Sequence, residues 1–187
     1  AAREAADLLA VAHAEDPTVQ AIDEWSSSYY AEELRRSRYS YDSQEARAYF
    51  PYAKVKQGVL SVTGKLFGVS FRKVDGVPVW HPSVEVYDMV EDGQVRGRFY
   101  LDMHPRADKY SHAAQFGLRT GLRNRRLPEA VLVCNFPEPK EGDPGLLTYD
   151  DAETFFHEFG HLLHHCLSKV EVRSLAGTSV APQAARF

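Results

Sequence analysis

The chain has 187 residues, of which 44% are hydrophobic and 12% aromatic, enough apolar material for one ordinary hydrophobic core. Its formal charge of -4 argues against the basic surface expected of a protein that binds nucleic acid or an anionic membrane. We therefore expect a single domain over residues 1–187, with no nucleic acid and no membrane among its partners.

Helical patterns occupy the first third of the chain. Apolar residues recur at helical spacing through about residues 1–13 and 22–38, with Pro17 between the two segments. Pro51 is placed to open a third helix that runs to about Leu66, and Gly68 is placed to end it. The N-terminal part is therefore predicted to consist of helices.

Short runs of β-branched and aromatic residues follow and predict strands. They occupy residues 69–74, 84–90, 95–102, 112–118 and 131–136. Asp92-Gly93 is a strong hairpin signal between the second and third runs, which makes an antiparallel pair the safest prediction. With helices on either side, the sequence predicts an α+β fold with a small, mainly antiparallel sheet.

A two-faced helix is predicted after the turn-rich segment 137–145. Thr148 and Asp151 resemble a capping box, with Asp in place of the usual Glu or Gln, and they place the helix start near Thr148. At helical spacing an apolar stripe collects Ala152, Phe155, Phe156, Phe159, Leu163 and Cys166. The opposite face collects Asp150, Thr154, His157, His161, His164 and His165. A purely structural helix needs no such row of imidazoles.

The pentapeptide His-Glu-Phe-Gly-His at residues 157–161 fits a metal site on this polar face. Residues four apart share a helix face, so His157 and His161 can offer two imidazole nitrogens to one tetrahedral zinc. Glu158 turns toward the same cleft, where it would take the proton of a zinc-activated water that attacks a peptide carbonyl. We predict Zn²⁺ as the cofactor and Glu158 as the catalytic base. The alternative is a solvated row of histidines that binds no metal.

This helix and several upstream motifs resemble the thimet oligopeptidase, oligopeptidase A and dipeptidyl carboxypeptidase family of zinc metallopeptidases. Residues 147–164 look like the zinc-site helix of that family, and the upstream motifs occur in the order of its central catalytic region. These motifs are Trp25 with Tyr29-Tyr30, Tyr49-Phe50-Pro51, Leu66-Phe67-Gly68, Trp80-His81-Pro82, residues 97–102 and Asn135-Phe136. The resemblance covers residues 23–181.

The resemblance implies a zincin-like fragment, the partial catalytic region of an enzyme that cleaves short peptides in a channel between two helical lobes. It also implies, residue for residue, that His157 and His161 are zinc ligands and that Glu158 is the general base. A short peptide is therefore the expected substrate.

The C-terminal residues depart from the pattern of this family, in which a glutamate supplies the third protein ligand after a Gly-Thr-x-Val stretch. Ungapped alignment places Arg186 at that position, and an arginine cannot lose its proton to bind zinc. Alternatively, Pro182-Gln183 is what an internal deletion leaves of a Pro-Ser-Gln, which also removes the ligand. Glu171 is the candidate that remains for a third ligand, and His164 or His165 are further alternatives.

Three functional hypotheses follow. The first is a truncated zinc metallopeptidase homologue of low activity. The second is an inactive metal-binding or peptide-binding remnant, completed by self-association through exposed apolar surface into a homo-oligomer. The third is a folded fragment that binds neither zinc nor peptide. The two cysteines, without a CxxC spacing, favour a reducing, cytoplasmic setting.

Overall fold

The computed structural model describes residues 2–122 and 125–177. The chain groups into two compact units, residues 1–49 and residues 50–187, and each unit is described by itself. This grouping does not test whether residues 1–187 fold as one domain, which stays a prediction.

The N-terminal unit is helical, as predicted. It comprises α1 (Ala2–Glu15), α2 (Glu24–Tyr39), α3 (Ser43–Ala46) and a 3₁₀ turn at Arg47–Tyr49. The Arg38 guanidinium donates to the Asp7 carboxylate at 2.8 Å and links α2 to α1. Helix α3 was not predicted because it is only one turn long and has no apolar repeat, and its cap is the Asp42 carboxylate, which accepts the Gln44 backbone N–H at 2.7 Å.

The second unit contains one sheet and two longer helices. It comprises α4 (Tyr52–Phe67), β1 (Ser70–Lys73), β2 (Glu85–Glu91), β3 (Gln94–Asp102), β4 (Ala114–Arg119), β5 (Glu129–Val133), α5 (Tyr149–Leu167) and a 3₁₀ turn at Arg173–Leu175. The strand order is β1-β2-β3-β5-β4. Only β3 and β5 pair in parallel among the strands described, while the other neighbours are antiparallel. The predicted α+β class and mainly antiparallel sheet are confirmed.

A helix end and a hairpin turn lie where the sequence predicted them. Gly68 ends α4 with a φ of 67°, a left-handed conformation that favours glycine. Asp92 and Gly93 also have positive φ values, 51° and 74°, and they connect β2 to β3. Positive φ at both central residues is typical of the type I′ turn, whose twist matches an antiparallel hairpin.

The central strands of the sheet, β2, β3 and β5, are buried on both faces. One face packs against α4 and α5, and its fully buried centre includes Met89, Phe99, Leu101 and Leu132. On the opposite face lie Val84, Val86, Tyr100, Val131 and Val133, against which Val74, Val77 and Val79 pack. Alternate residues of β3 therefore serve different layers, because successive side chains of a strand point to opposite faces.

A buried carboxylate lies at the end of β3. Asp102 is 2% exposed and accepts hydrogen bonds from Trp80 Nε1 at 2.8 Å and from Arg106 Nη1 at 2.6 Å. The Lys109 ammonium lies 2.9 Å from the same carboxylate and also donates to the Cys134 carbonyl. These contacts join the segment around Trp80 to the ends of β3 and β5.

The described helices include none whose length and apolar character would let it cross a membrane. Cys134 and Cys166 are both free thiols and both buried.

Candidate metal centre

Helix α5 begins with the predicted capping box. The Asp151 backbone N–H donates to Thr148 Oγ1 at 3.0 Å, and the Thr148 N–H donates to the Asp151 carboxylate at 2.9 Å. Asp150 and Asp151 also place negative charge in the first turn, where it interacts favourably with the positive end of the helix dipole. The start of the helix that carries the pentapeptide is therefore fixed by local chemistry.

The apolar side of α5 seats the helix on the sheet. Phe159 is fully buried, and its ring meets the rings of Phe71 and Phe99 edge to face, each at 5.6 Å between centroids. The predicted stripe was wrong at one position, because Phe156 is 41% exposed and Leu162 is fully buried instead. The face that meets the sheet is centred near Phe159, so Phe156 falls at its margin.

The opposite side brings the two histidines of the pentapeptide together. His161 Nε2 lies 3.1 Å from His157 Nε2, and the rings stand at 83° to each other. Glu158 joins them, since one ligand atom from each of the three residues lies within 4.8 Å of the others. His157 is exposed, while Glu158 and His161 are half-buried. The cluster is therefore open to solvent on one side.

The Glu158 carboxylate is held by the neighbouring strand. Its Oε2 accepts the backbone N–H of Gln115 at 3.0 Å, and Gln115 lies in β4 at one end of the sheet. Sequence reasoning missed Gln115, because the contact joins residues 43 positions apart and uses a backbone group. Glu158, the candidate general base, thus has a hydrogen-bond donor that no sequence motif predicts.

The donor set fits a zinc ion. Zinc lies about 2.0–2.1 Å from imidazole nitrogen, so tetrahedral geometry separates two such nitrogens by about 3.3 Å. The separation of 3.1 Å between the two Nε2 atoms is close to that value. Two imidazoles and one nearby carboxylate are also a donor set typical of zinc.

The remaining predicted ligands do not join this cluster within the described part of the chain. Glu171 is exposed beyond the end of α5 and is not among the three clustered residues, so its role as a third ligand stays a prediction. Arg186 and Pro182-Gln183 lie outside the described residues. His164 is half-buried, whereas His165, which the sequence pattern placed on the polar face, is buried and hydrogen-bonded to β4.

Comparison with known proteins places the chain among peptidases. The model of Peptidase family M3 matches residues 1–186. Oligopeptidase A of Escherichia coli is 36% identical over 185 residues, which are 96% of this chain and 27% of that protein. Dipeptidyl carboxypeptidase of Salmonella typhimurium is 37% identical over 166 residues, 87% of this chain and 24% of that protein.

A eukaryotic relative shows the same likeness. Thimet-like oligopeptidase of Dictyostelium discoideum is 35% identical over 163 residues, 83% of this chain and 24% of that protein. The chain belongs to peptidase family M3, which confirms the family that its motifs predicted. It spans about a quarter of the length of these curated relatives.

Proposed function

We propose that this chain is a zincin-like catalytic region that hydrolyses peptide bonds in short peptides with the help of zinc. The observation that carries the proposal is the 3.1 Å approach of the His157 and His161 Nε2 atoms beside the Glu158 carboxylate. Membership of a peptidase family supports the reaction class.

Each residue of the cluster has a separate role in this proposal. His157 and His161 hold zinc through Nε2, which requires that both nitrogens be unprotonated. Zinc, when bound, supplies the Lewis acidity that makes water nucleophilic near neutral pH. Glu158 accepts the proton of the attacking water and returns it to the leaving amine. The Gln115 N–H orients the Glu158 carboxylate before substrate arrives.

The number of protein ligands decides how tightly zinc binds. Catalytic zinc sites ordinarily have three protein ligands and one open position, whereas the cluster supplies two histidines beside the base. We therefore expect weaker zinc binding than at a three-ligand site. The same observation favours a second candidate function, a metal-binding protein without turnover whose site a second copy of the chain completes.

Zinc binding is tested by calorimetric titration of the wild type, His157→Ala and His112→Ala. His112 is exposed and outside the cluster, so its variant is the matched control. Loss of a ligand should weaken zinc binding at least tenfold in His157→Ala and leave His112→Ala unchanged. Equal affinity in all three proteins contradicts the assigned site.

Catalysis is tested by measuring the cleavage of short fluorogenic peptides by the zinc-loaded wild type and Glu158→Gln. Loss of the general base should lower kcat by roughly a hundredfold to ten-thousandfold. Zinc binding without Glu158-dependent cleavage supports the second candidate, and zinc-dependent dimers in sedimentation experiments would support its completion by a second copy. A zinc-free protein with equal background cleavage in both variants contradicts both candidates.

A further inference from the structure

The His165 ring is enclosed between two glycines from different parts of the chain. A Cβ atom on Gly117 of β4 would lie 2.6 Å from His165 Cε1. A Cβ atom on Gly177, beyond the end of α5, would lie 2.8 Å from His165 Nδ1. His165 is 8% exposed, and only residues without a side chain allow β4 and the later turn to approach its ring this closely.

His165 is also hydrogen-bonded to the backbone of β4. Its Nε2 lies 3.0 Å from the carbonyl oxygen of Arg119, the last residue of that strand. Because a carbonyl oxygen can only accept, Nε2 carries the proton and donates it. The imidazole therefore links α5 to the C-terminal end of β4 through a hydrogen bond.

The same strand is bonded to α5 at a second point, where Gln115 donates to Glu158. Glu158 and His165 are seven residues apart, about two turns, so they lie on one helix face and roughly 10.5 Å apart along the axis. Gln115 and Arg119 are four residues apart, about 13 Å along a strand. The similar spacings let β4 follow α5 with an attachment at each end.

From this geometry we infer that His165 is a positioning residue. It fixes the lateral and axial position of β4 on α5, and β4 then presents the Gln115 N–H to the Glu158 carboxylate. His165 acts through the strand and makes no contact with the reacting atoms. The inference rests on the proposed role of Glu158 as the general base.

The hydrogen bond from His165 separates a positioning role from a role in filling space, so the test compares two substitutions. His165→Gln keeps an N–H donor at a similar distance from Cβ, whereas His165→Leu keeps apolar volume and removes the donor. Val59→Ala is the control for general destabilisation, because Val59 is fully buried on α4, a helix distinct from both α5 and β4.

The test is amide hydrogen exchange of Gln115, followed by NMR on the metal-free protein. His165→Leu should speed exchange of this amide roughly tenfold, the effect of releasing a hydrogen bond to a charged group. His165→Gln should restore it to within about twofold of the wild type. Equal Gln115 exchange in His165→Leu and Val59→Ala, at matched global stability, overturns the inference.

If His165→Leu does not fold, His165→Gln decides alone. Retained protection of Gln115 supports the inference, and a loss above about tenfold with unchanged core protection overturns it. In the zinc-loaded protein, His165→Leu should lower kcat with little change in KM, and His165→Gln should rescue kcat. A wild type without peptidase activity would contradict the proposed function, whereas the exchange result would still report how the Glu158 carboxylate is held.

Discussion

Trp80 Nε1 donates a 2.8 Å hydrogen bond to the buried Asp102 carboxylate and joins two sequence motifs 22 residues apart. The same carboxylate accepts two hydrogen bonds from the Arg106 guanidinium and lies beside the Lys109 ammonium. Asp102 thus joins a residue that precedes β3 in the chain, Trp80, to two residues that follow it, Arg106 and Lys109. The motifs around Trp80 and Asp102, which pointed to the family, meet in a buried structural cluster and not in the metal centre.

Asp102→Asn should destabilise the protein strongly. The variant leaves Lys109, whose side chain is 3% exposed, without a carboxylate partner. Removing one partner of a buried ion pair typically costs about 3–5 kcal/mol in the free energy of unfolding. Urea denaturation at neutral pH measures the loss. Glu91→Gln is the control, since its partners Arg96 and Lys169 are solvent-exposed, and an equal loss in both variants contradicts the prediction.

The same carboxylate makes stability depend on pH in the acid range. Burial alone would raise the Asp102 pKa, but hydrogen bonds from Arg106, Trp80 and Lys109 outweigh it and hold the pKa well below its ordinary value of 3.8. As the pH falls through 3.8, the unfolded chain gains a proton before the folded protein does. This contribution is therefore complete above that pH and is lost as the pH falls toward the folded-state pKa.

The measurement is the free energy of unfolding from neutral to strongly acidic pH in the wild type and Asp102→Asn. The wild type should lose stability more steeply with acid, so the two curves should converge as the pH falls. Parallel curves would show that Asp102 does not provide this dependence.

The fold was predictable where the signal is local. Asp92-Gly93 contains the whole hairpin turn, and Thr148 with Asp151 contains the whole cap, because each needs only neighbouring residues. The placement of β5 between β3 and β4 was not predictable, because pairing partners are chosen by packing between distant segments.

The candidate site likewise has one part that the sequence predicts and one part that it does not. His157, Glu158 and His161 share a helix, so their spacing alone predicts that they cluster. The Gln115 contact to Glu158 requires β4 to lie along α5, and no residue pattern encodes a backbone donor. The helical spacing placed His165 on the polar face and gave no sign of its burial, because its partner Arg119 belongs to another element.

Both thiols should resist modification in the native protein. Burial raises the pKa of Cys166 to about 12, and burial together with the nearby Glu158 charge raises the pKa of Cys134 to about 12. Because the thiolate is the nucleophile, native protein should react very slowly with a thiol reagent at mildly alkaline pH.

In denaturant both thiols should react at once, which provides the positive control. Fast labelling of either thiol under native conditions would contradict the burial described here. The predicted reducing, cytoplasmic setting stays a prediction.

Two glycines in the segment before α5 form a matched pair for substitution. Gly142 and Gly145 both have positive φ, 78° and 63°, so alanine at either should cost about 1–2 kcal/mol of backbone strain. A Cβ on Gly142 meets nothing within 4 Å, whereas a Cβ on Gly145 would lie 2.7 Å from the Pro137 carbonyl oxygen. Gly145→Ala should therefore cost about 1–3 kcal/mol more than Gly142→Ala.

Urea denaturation of both variants checks this difference. The Gly145 carbonyl also accepts the Tyr52 N–H at 3.1 Å, so a shifted backbone there loses a contact with the start of α4. Equal stabilities would indicate that the segment relaxes around the added methyl group.

The strand that holds Glu158 is the last in the sheet, with β5 as its neighbour there. A terminal strand can detach by breaking one ladder, whereas β2 or β3 cannot leave without dividing the sheet. Heating should therefore release β4 from α5 before the core melts, so that the glutamate loses its donor while the two histidines remain on an intact helix. Loss of the proton-transfer group's alignment and loss of the metal site would then be two separate events along the same melting curve.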